Sequence, residues 1–314
     1  MRKKIVMYFR KRPLKADPFS GLGHKRSTYH EFFRRGMAEG FDMFLASGES
    51  NHEKSLRFRN VLRYNGDFFE SHAGILEADA VFDRSGGLSF PPAEIDAKTL
   101  NSSGFKRLCN NKNLMENLIG EYMPKSFAIH DQEELFLRLK AFGGDRRTVF
   151  KPAQGMQGKG IVISAPDELM DFPFEKDTEY VLQEFIDTSQ GIAGITDTHH
   201  DLRIVIADGN IVLSHVRTPS PGTLIANVAL GGSIREVPVA DIPPPVLNAV
   251  KKVQDRIDEI FDYPLYSIDI GVHRDGRPFV FEINDGIGFP SETMDASRFI
   301  EGALRSLSKR ADRP

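Results

Sequence analysis

The residues able to do chemistry fall into three clusters in the second half of the chain. The first runs Val149-Phe150-Lys151-Pro152-Ala153-Gln154-Gly155-Met156-Gln157-Gly158-Lys159-Gly160-Ile161-Val162-Ile163. An apolar run delivers a lysine, three glycines follow, and an apolar run returns. Glycines let backbone N–H groups approach phosphate oxygens closely, and the lysine adds a cation. The loop leads back into a strand rather than opening a helix, so it is not a Walker A loop. An ordinary glycine-rich hairpin would read the same way.

The second cluster is Ser267-Ile268-Asp269-Ile270-Gly271 with Phe279-Val280-Phe281-Glu282-Ile283-Asn284, joined through the turn Arg274-Asp275-Gly276. Pairing these strands brings Asp269, Glu282 and Asn284 together. Glu282 and Asn284 are two apart and leave the same face of one strand. Two carboxylates and an amide oxygen suit Mg²⁺ bound together with phosphates. Asp269 sits in an apolar run, where an unpaired carboxylate is costly, which favours a metal over a solvated strand face. The third cluster is Asp201-Leu202-Arg203, Val216-Arg217 and Asn227-Val228-Ala229-Leu230-Gly231-Gly232. Two arginines on neighbouring strands can hold a phosphoryl group or a carboxylate by forked hydrogen bonds. Surface salt bridges are the plainer alternative.

These clusters need strands and helices to position them. Residues 4–9 read as a buried strand and Pro13 to Arg26 as a loop. Ser27 is placed to cap a helix through Tyr29, Phe32, Phe33 and Met37, stopped at Gly40. Phe41 to Ala46 and Ala78 to Asp83 are strand-like, so a small α/β unit is expected over 1–95, with Pro91-Pro92 at its boundary. A helix over 112–120 presents Leu114, Leu118 and Ile119 on one face. Ser126 to Ile129 is a short strand, and Asp131 caps a helix through Leu135 and Leu139. Tyr180 to Ile186, Leu202 to Ala207 and Ile211 to Val216 are strands, the last two joined by the hairpin signal Asp208-Gly209. A long helix, Val246 to Ile260, puts Val250, Val253, Ile257 and Ile260 on one face, before the final strands Tyr266–Val272 and Pro278–Ile283. Antiparallel hairpins make this second part α+β.

Composition excludes several classes. The chain has 314 residues, which at about 150 residues per domain suggests about two domains. Hydrophobic residues at 40% and charged residues at 27% are ordinary for a folded protein and argue against broad disorder. Lys plus Arg number 41 against 44 Asp plus Glu, so the net charge of −3 argues against a nucleic-acid-coating protein. The single cysteine, Cys109, excludes an internal disulfide and a cysteine-rich zinc site. The apolar run Ile5 to Phe9 is too short for a signal-peptide core, and no stretch has membrane-span length. A cytoplasmic protein is expected.

The ordered set Lys112, Lys151-Pro152, the glycine loop, Gln183-Glu184-Phe185-Ile186, Asp201-Leu202-Arg203, Arg217, Asn227 to Gly231-Gly232, Asp269 and Glu282-Ile283-Asn284 resembles the ATP-grasp superfamily. Within it the chain looks most like the glutathione-synthetase and RimK-type carboxylate–amine ligases, over about residues 100–300. The resemblance implies an α/β N-terminal, pre-ATP-grasp-like domain (1–95) followed by an α+β ATP-grasp fold of two lobes. The small lobe with the glycine-rich loop would span 96–186, and the lobe with the metal site 187–314. It implies that Lys112 and Lys151 meet the nucleotide phosphates and that Gly155, Gly158, Lys159 and Gly160 close over them. Gln183, Glu184, Phe185 and Ile186 would form the hinge that reads adenine, with Glu184 or Asp187 on the ribose. Asp201 would belong to the nucleotide-binding set, and Arg203, Arg217 and Asn227 would attend the transferred phosphoryl and acyl phosphate. Asp269, Glu282 and Asn284 would ligate Mg²⁺, usually two ions, with Mn²⁺ as a substitute.

The implied reaction is ATP-dependent amide or peptide bond formation through an acyl phosphate, with ATP, a carboxylate and an amine acceptor (an amino acid or peptide) as partners. Nucleic acid and membrane are not implied, and the family's frequent dimers and tetramers leave a homo-oligomer open. An ATP-grasp small-molecule kinase and a nucleotide-binding module without turnover are the alternatives. The chain departs from the family pattern at three places. The segment Asp187 to His200 is long and ends in His199-His200, expected as exposed loop histidines. Ile225 stands where the family often has arginine. Asp285-Gly286-Ile287-Gly288 stands where Ser/Pro-Gly is common. In the N-terminal part, Gly21-Leu22-Gly23-His24-Lys25-Arg26 could attract an anion beside a helix N-terminus and so receive a substrate carboxylate, although a solvated loop is the plainer reading. Cys109 and the 24 phenylalanines read as structural.

Overall fold

The computed structural model describes residues 2–48, 55–86, 96–142, 147–153, 160–170, 172–175, 178–224, 226 and 231–313. Pro91-Pro92, Gly155, Gly158, Lys159, Ile225 and Asn227 lie outside the described residues.

The N-terminal strands are β1 (Lys4–Phe9), β2 (Asp42–Ser47), β3 (Arg57–Phe58), β4 (Leu62–Tyr64), β5 (Phe69–Ser71), β6 (Leu76–Glu77), β7 (Ala80–Asp83) and β8 (Thr99–Leu100). Six of them form a sheet in the order β5-β4-β2-β1-β7-β8, and β3 pairs with β6 alone. β1 runs parallel to β2 and β7, and β8 parallel to β7. Parallel strands are covered on both faces, which is why Ile5 to Phe9 is an unbroken apolar run.

Helix α1 (Arg26–Ala38) packs Phe32 and Phe33 against this sheet. The expected Ser27 cap is not formed. The chain enters α1 through a 3₁₀ turn, Gly23–Lys25, so the residue before the helix, Lys25, is already helical and no extended cap position exists. Gly40 ends α1 with a φ of 91°, a conformation that favours glycine.

Two short helices follow, α2 (Ser103–Asn110) and α3 (Lys112–Ile119). Asn111 caps α3 by accepting from the N–H groups of Asn113 (3.0 Å) and Leu114 (3.1 Å), which fixes Lys112 at its first turn. The buried residues of α3 are Met115 and Ile119; Leu114, expected inside, is 38% exposed. Residues 115 and 119 are one helical repeat apart and share the stripe, whereas 114 lies a third of a turn away.

The second sheet comprises β9 (Ser126–Ile129), β10 (Thr148–Pro152), β11 (Val162–Ser164) and β12 (Tyr180–Glu184), in the antiparallel order β11-β10-β12-β9. Helix α4 (Gln132–Phe142) covers it with Leu135 and Leu139, and Asp131 Oδ1 accepts from the Glu134 N–H at 2.8 Å. The third sheet comprises β13 (Asp201–Ala207), β14 (Asn210–Thr218), β15 (Ser233–Glu236), β16 (Tyr266–Val272) and β17 (Pro278–Asn284), in the antiparallel order β15-β14-β13-β16-β17. Asp208 and Gly209 both have positive φ, the backbone a two-residue hairpin needs.

One face of the third sheet, with Leu202, Ile204, Ile206, Ile268 and Ile270, is buried under α3 and helix α5 (Pro244–Asp258). The buried side of α5 is Val246, Val250, Val253 and Ile257; Ile260 lies past its end and is 59% exposed. The last helix, α6 (Ser297–Ala311), buries Phe299, Ala303 and Leu307 in one core with β1 and β7 and with Ala207, Val212 and Leu213 of the third sheet. At Gly302 a Cβ would meet the Ala207 Cβ at 2.8 Å, so helix and hairpin touch at backbone distance.

Candidate active site

Strand periodicity builds the site. The face of β13 opposite Leu202, Ile204 and Ile206 carries Asp201 and Arg203. Cross-strand pairing continues the Arg203 position over the whole sheet: Glu282 opposes Asp269, Asp269 opposes Arg203, Arg203 opposes His215, and His215 opposes Glu236. Two residues further along, on the same face, Arg217 opposes Asp201. All of them except Glu236 border a cleft of about 770 Å³ that is lined by the second and third sheets, with His24 and Lys25 entering from the turn before α1.

Asp269 is the hub. Arg203 grips it through two bonds, Nε to Oδ1 and Nη2 to Oδ2, each 2.6 Å. Arg217 donates to Oδ2 at 2.8 Å and also binds Asp201. The Asn284 amide donates to the same Oδ2 at 3.1 Å. Burial alone would raise the Asp269 pKa, but Arg203 and Arg217 hold it below the ordinary carboxylate value. Asp201 is pushed up to about 7, by burial first and then by the charge of Asp269. Burial likewise works against a charged Arg203, and Asp269 more than offsets it. The two arginines are therefore not surface ion pairs but members of a buried network with Asp201 and Asp269.

Glu282 is different. No cation lies within ion-pair distance of it among the described residues, and its pKa is raised, by burial and then by Asp269. The Asn284 Oδ1 next to it receives no hydrogen bond among the described residues, since Asn284 is engaged through its Nδ2. No group of three or more His, Cys, Asp or Glu side chains converges on one point among the described residues. An excess carboxylate, a free amide oxygen and the less crowded Oδ1 of Asp269 fit a hard divalent cation that takes its other ligands from phosphate oxygens.

Across the cleft, Lys112 Nζ donates to the Ala153 carbonyl (3.0 Å) and Lys151 Nζ to Gln183 Oε1 (2.9 Å). Burial, and then the charge of Lys112, push the Lys151 pKa down to about 8; burial also lowers that of Lys112, against the pull of Glu282. Gln183, expected to act through the hinge backbone, is buried and orients Lys151 with its side chain. Glu184, Phe185 and Ile186 line the cleft. Asp187 does not: its Oδ1 accepts from the Ser189 N–H at 3.0 Å, so Glu184 is the acid that faces the cleft. Gly160 has a φ of 73°.

The histidine pair is not an exposed loop feature. His200 is 3% exposed; its Nε2 accepts from the Val272 N–H (3.0 Å) and its Nδ1–H donates to the Thr198 carbonyl (3.1 Å). Both nitrogens are engaged by the neutral ring, and burial lowers its pKa. His199 is half-buried, lines the cleft and lies 3.3 Å from Thr188 Oγ1 through Nδ1. Cys109 is buried, and burial raises its thiol pKa well above the ordinary value, so it is unreactive.

Two further residues border the cleft: His215, which was not singled out from the sequence, and Lys25, which belongs to the loop that could attract an anion. His215 lies two positions before Arg217 and shares its face, a signal the sequence did contain. Its pKa is pushed down to about 3 by burial and then by Arg203 and Arg217, so the ring is neutral. Lys25 enters from the turn before α1.

This fold, with its cleft between antiparallel sheets, is the ATP-grasp fold. The D-alanyl-alanine synthetase A of Vibrio cholerae superposes with a TM-score of 0.61 at 11% identity, covering 99% of this chain and 98% of that one. An ATP-grasp ligase of Chryseobacterium gregarium associated with ribosomally made, modified peptides, solved with ADP and a leader and core peptide, superposes with a TM-score of 0.61 at 14% identity, covering 99% and 98%. In sequence, the chain is similar to a Shewanella pealeana protein described as "Probable alpha-L-glutamate ligase", 28% identical over 178 residues, or 54% of this chain and 35% of the relative. The chain thus matches about a third of the length of the curated relatives nearest the top of that comparison. No family model matches the chain. No helix among the described residues is long and apolar enough to cross a membrane.

Proposed function

We propose that this protein is an ATP-dependent carboxylate–amine ligase that forms an amide through an acyl phosphate. The observation that carries this reading is the pairing across one cleft of two half-buried lysines, Lys112 and Lys151, with the row Glu282–Asp269–Arg203. Lys112 and Lys151 hold the nucleotide phosphates, with Gly155, Gly158, Lys159 and Gly160 covering them and excluding water. Glu184, Phe185 and Ile186 hold the base and ribose, Gln183 positions Lys151, and Asp201 fixes Arg217. Arg203, Arg217 and Asn227 stabilise the charge that develops when a substrate carboxylate attacks the γ-phosphate. Their guanidinium planes are pre-aligned by Asp269, so no reorganisation accompanies that step.

Glu282 and Asn284, with Asp269, would hold Mg²⁺, two ions or one, with Mn²⁺ as a substitute. The cation would neutralise phosphate charge there. The three units follow residues 1–95, 96–186 and 187–314. The amine acceptor is an amino acid or a peptide. Both classes appear in the names of similar proteins, a glutamate ligase and a ligase bound to a leader and core peptide.

The test is ADP release from Mg-ATP over an array of carboxylic acids, with and without hydroxylamine. A hydroxamate formed with one acid is expected, because hydroxylamine traps acyl phosphates. A stable phosphorylated product with no hydroxamate would show a kinase instead.

A further inference from the structure

Lys25 lies in the turn before α1 and borders the cleft. It is not a loose surface side chain. The turn Gly23–Lys25 is pinned to the segment after β17: the His24 carbonyl accepts from the Glu292 N–H at 2.8 Å, and Tyr29 stacks on Phe289 at 4.0 Å between centroids. The ammonium lies against Gly288, 3.1 Å from where a Cβ would stand, so glycine there leaves it room. Among the described residues no carboxylate comes within ion-pair distance of Lys25 and its Nζ makes no hydrogen bond. Arg203 and Arg217, by contrast, are paired with Asp269 and Asp201.

A second observation points into the same region. His215 is 8% exposed, borders the cleft, and has a buried Nδ1 with no partner among the described residues. Lys25 borders the same cleft. An unpartnered ammonium and an unpartnered buried imidazole nitrogen together ask for a ligand that is anionic and accepts or donates a hydrogen bond. Glu282, on which the charges of Lys112 and Lys151 bear, lies three strands away from His215 in the sheet.

We propose that Lys25, with His215, forms a specificity subsite for a carboxylate carried by the substrate in addition to the group that reacts. This deepens the ligase reading and rests on it for the reacting group. The subsite acts by charge complementarity, and it rejects an uncharged isostere because Lys25 is then left unpaired.

Isosteric acid and amide pairs supply the test: L-glutamate against L-glutamine, L-aspartate against L-asparagine, and L-alanyl-L-glutamate against L-alanyl-L-glutamine. Each is titrated calorimetrically into the full chain saturated with Mg-ADP. The acidic member of at least one pair is expected to bind about tenfold or more tightly than its amide. Lys25→Met removes that preference, Lys25→Arg keeps it, and ADP affinity is unchanged in both. His215→Ala weakens both members of the pair alike.

The proposal is overturned if no pair shows a charge preference, if the preference survives Lys25→Met, or if Lys25→Met weakens ADP instead, which would make Lys25 a phosphate contact. The ligase reading fails separately. A chain that binds the acid through Lys25 but never yields ADP or hydroxamate sinks that reading and leaves the subsite. Hydroxamate formation indifferent to the extra charge sinks the subsite alone.

Discussion

The two sides of the cleft are built on opposite electrostatic plans. On the third sheet, Asp201, Arg203, Arg217 and Asp269 neutralise one another at hydrogen-bond distance. On the other side, among the described residues Lys112 and Lys151 have only neutral oxygens as direct partners, a carbonyl and an amide, and both are disfavoured as cations by burial. The first side is finished without ligand; the second awaits an anion. Rigid geometry where charge develops and unmet charge where phosphate arrives are complementary requirements of phosphoryl transfer. Glu282 is the exception on the third sheet, an unmet anion opposite the unmet cations.

Substitutions that break the finished side should cost both fold and function. Asp269→Asn leaves Arg203 and Arg217 buried with half their partners, and a loss of about 3–5 kcal/mol in urea-melt stability is expected, together with loss of turnover. Stability within error of wild type would show that the network is not what holds the sheet. Glu282→Gln should separate the two effects: ADP formation falls by roughly a hundredfold or more. Its melting temperature stays equal or rises, because a buried carboxylate repelled by Asp269 is removed.

On the unmet side, Lys151→Met should leave the fold intact and weaken ATP by about ten- to a hundredfold, the range of a hydrogen bond to a charged group. The same lysine gives a pH signature. With its pKa pushed down to about 8, the ligand-free ammonium is lost as pH rises through 8, so nucleotide affinity drops about tenfold between pH 7 and 9. Lys151→Arg should flatten that profile in a titration by calorimetry.

The smallest effect belongs to His215. Its folded pKa, about 3, lies below the unfolded value near 6.5, so between them the unfolded chain binds a proton that the folded chain does not. Stability therefore falls as pH drops through that window, by about 1.4 kcal/mol per pH unit for this one group. His200, also lowered by burial, adds to the slope with the same sign. Urea midpoints at pH 7, 6 and 5 should show a shallower decline for His215→Gln than for wild type.

Much of this was legible in the chain itself. Alternation places Arg203 with Asp201, Arg217 with His215, and Glu282 with Asn284, because a strand's side chains repeat every two residues. The hairpin at Asp208-Gly209 and the stop at Gly40 follow from local backbone preference. Failures came where a distant partner decides. The stripe of α3 runs through Met115 and Ile119 rather than Leu114 because its partners come from far along the chain, from α5 and from Ile283 of β17, whose N–H donates to Met115 Sδ. Ser27 lost its cap to a turn whose geometry is set by contact with the 289–292 segment. The loop histidine His200 became a core residue because the Val272 N–H offered it a hydrogen bond across the fold.

Sequence alone thus determined the chemical inventory, the strand faces that carry it and the resemblance of their order to the ATP-grasp superfamily, all consequences of local periodicity. Only the tertiary structure decided that Asp269 is shared between two arginines, that Gln183 serves Lys151 through its side chain, and that Lys25, before α1, reaches the cleft. Those outcomes depend on pairing between strands and contact between units, and so on distances that no local pattern encodes.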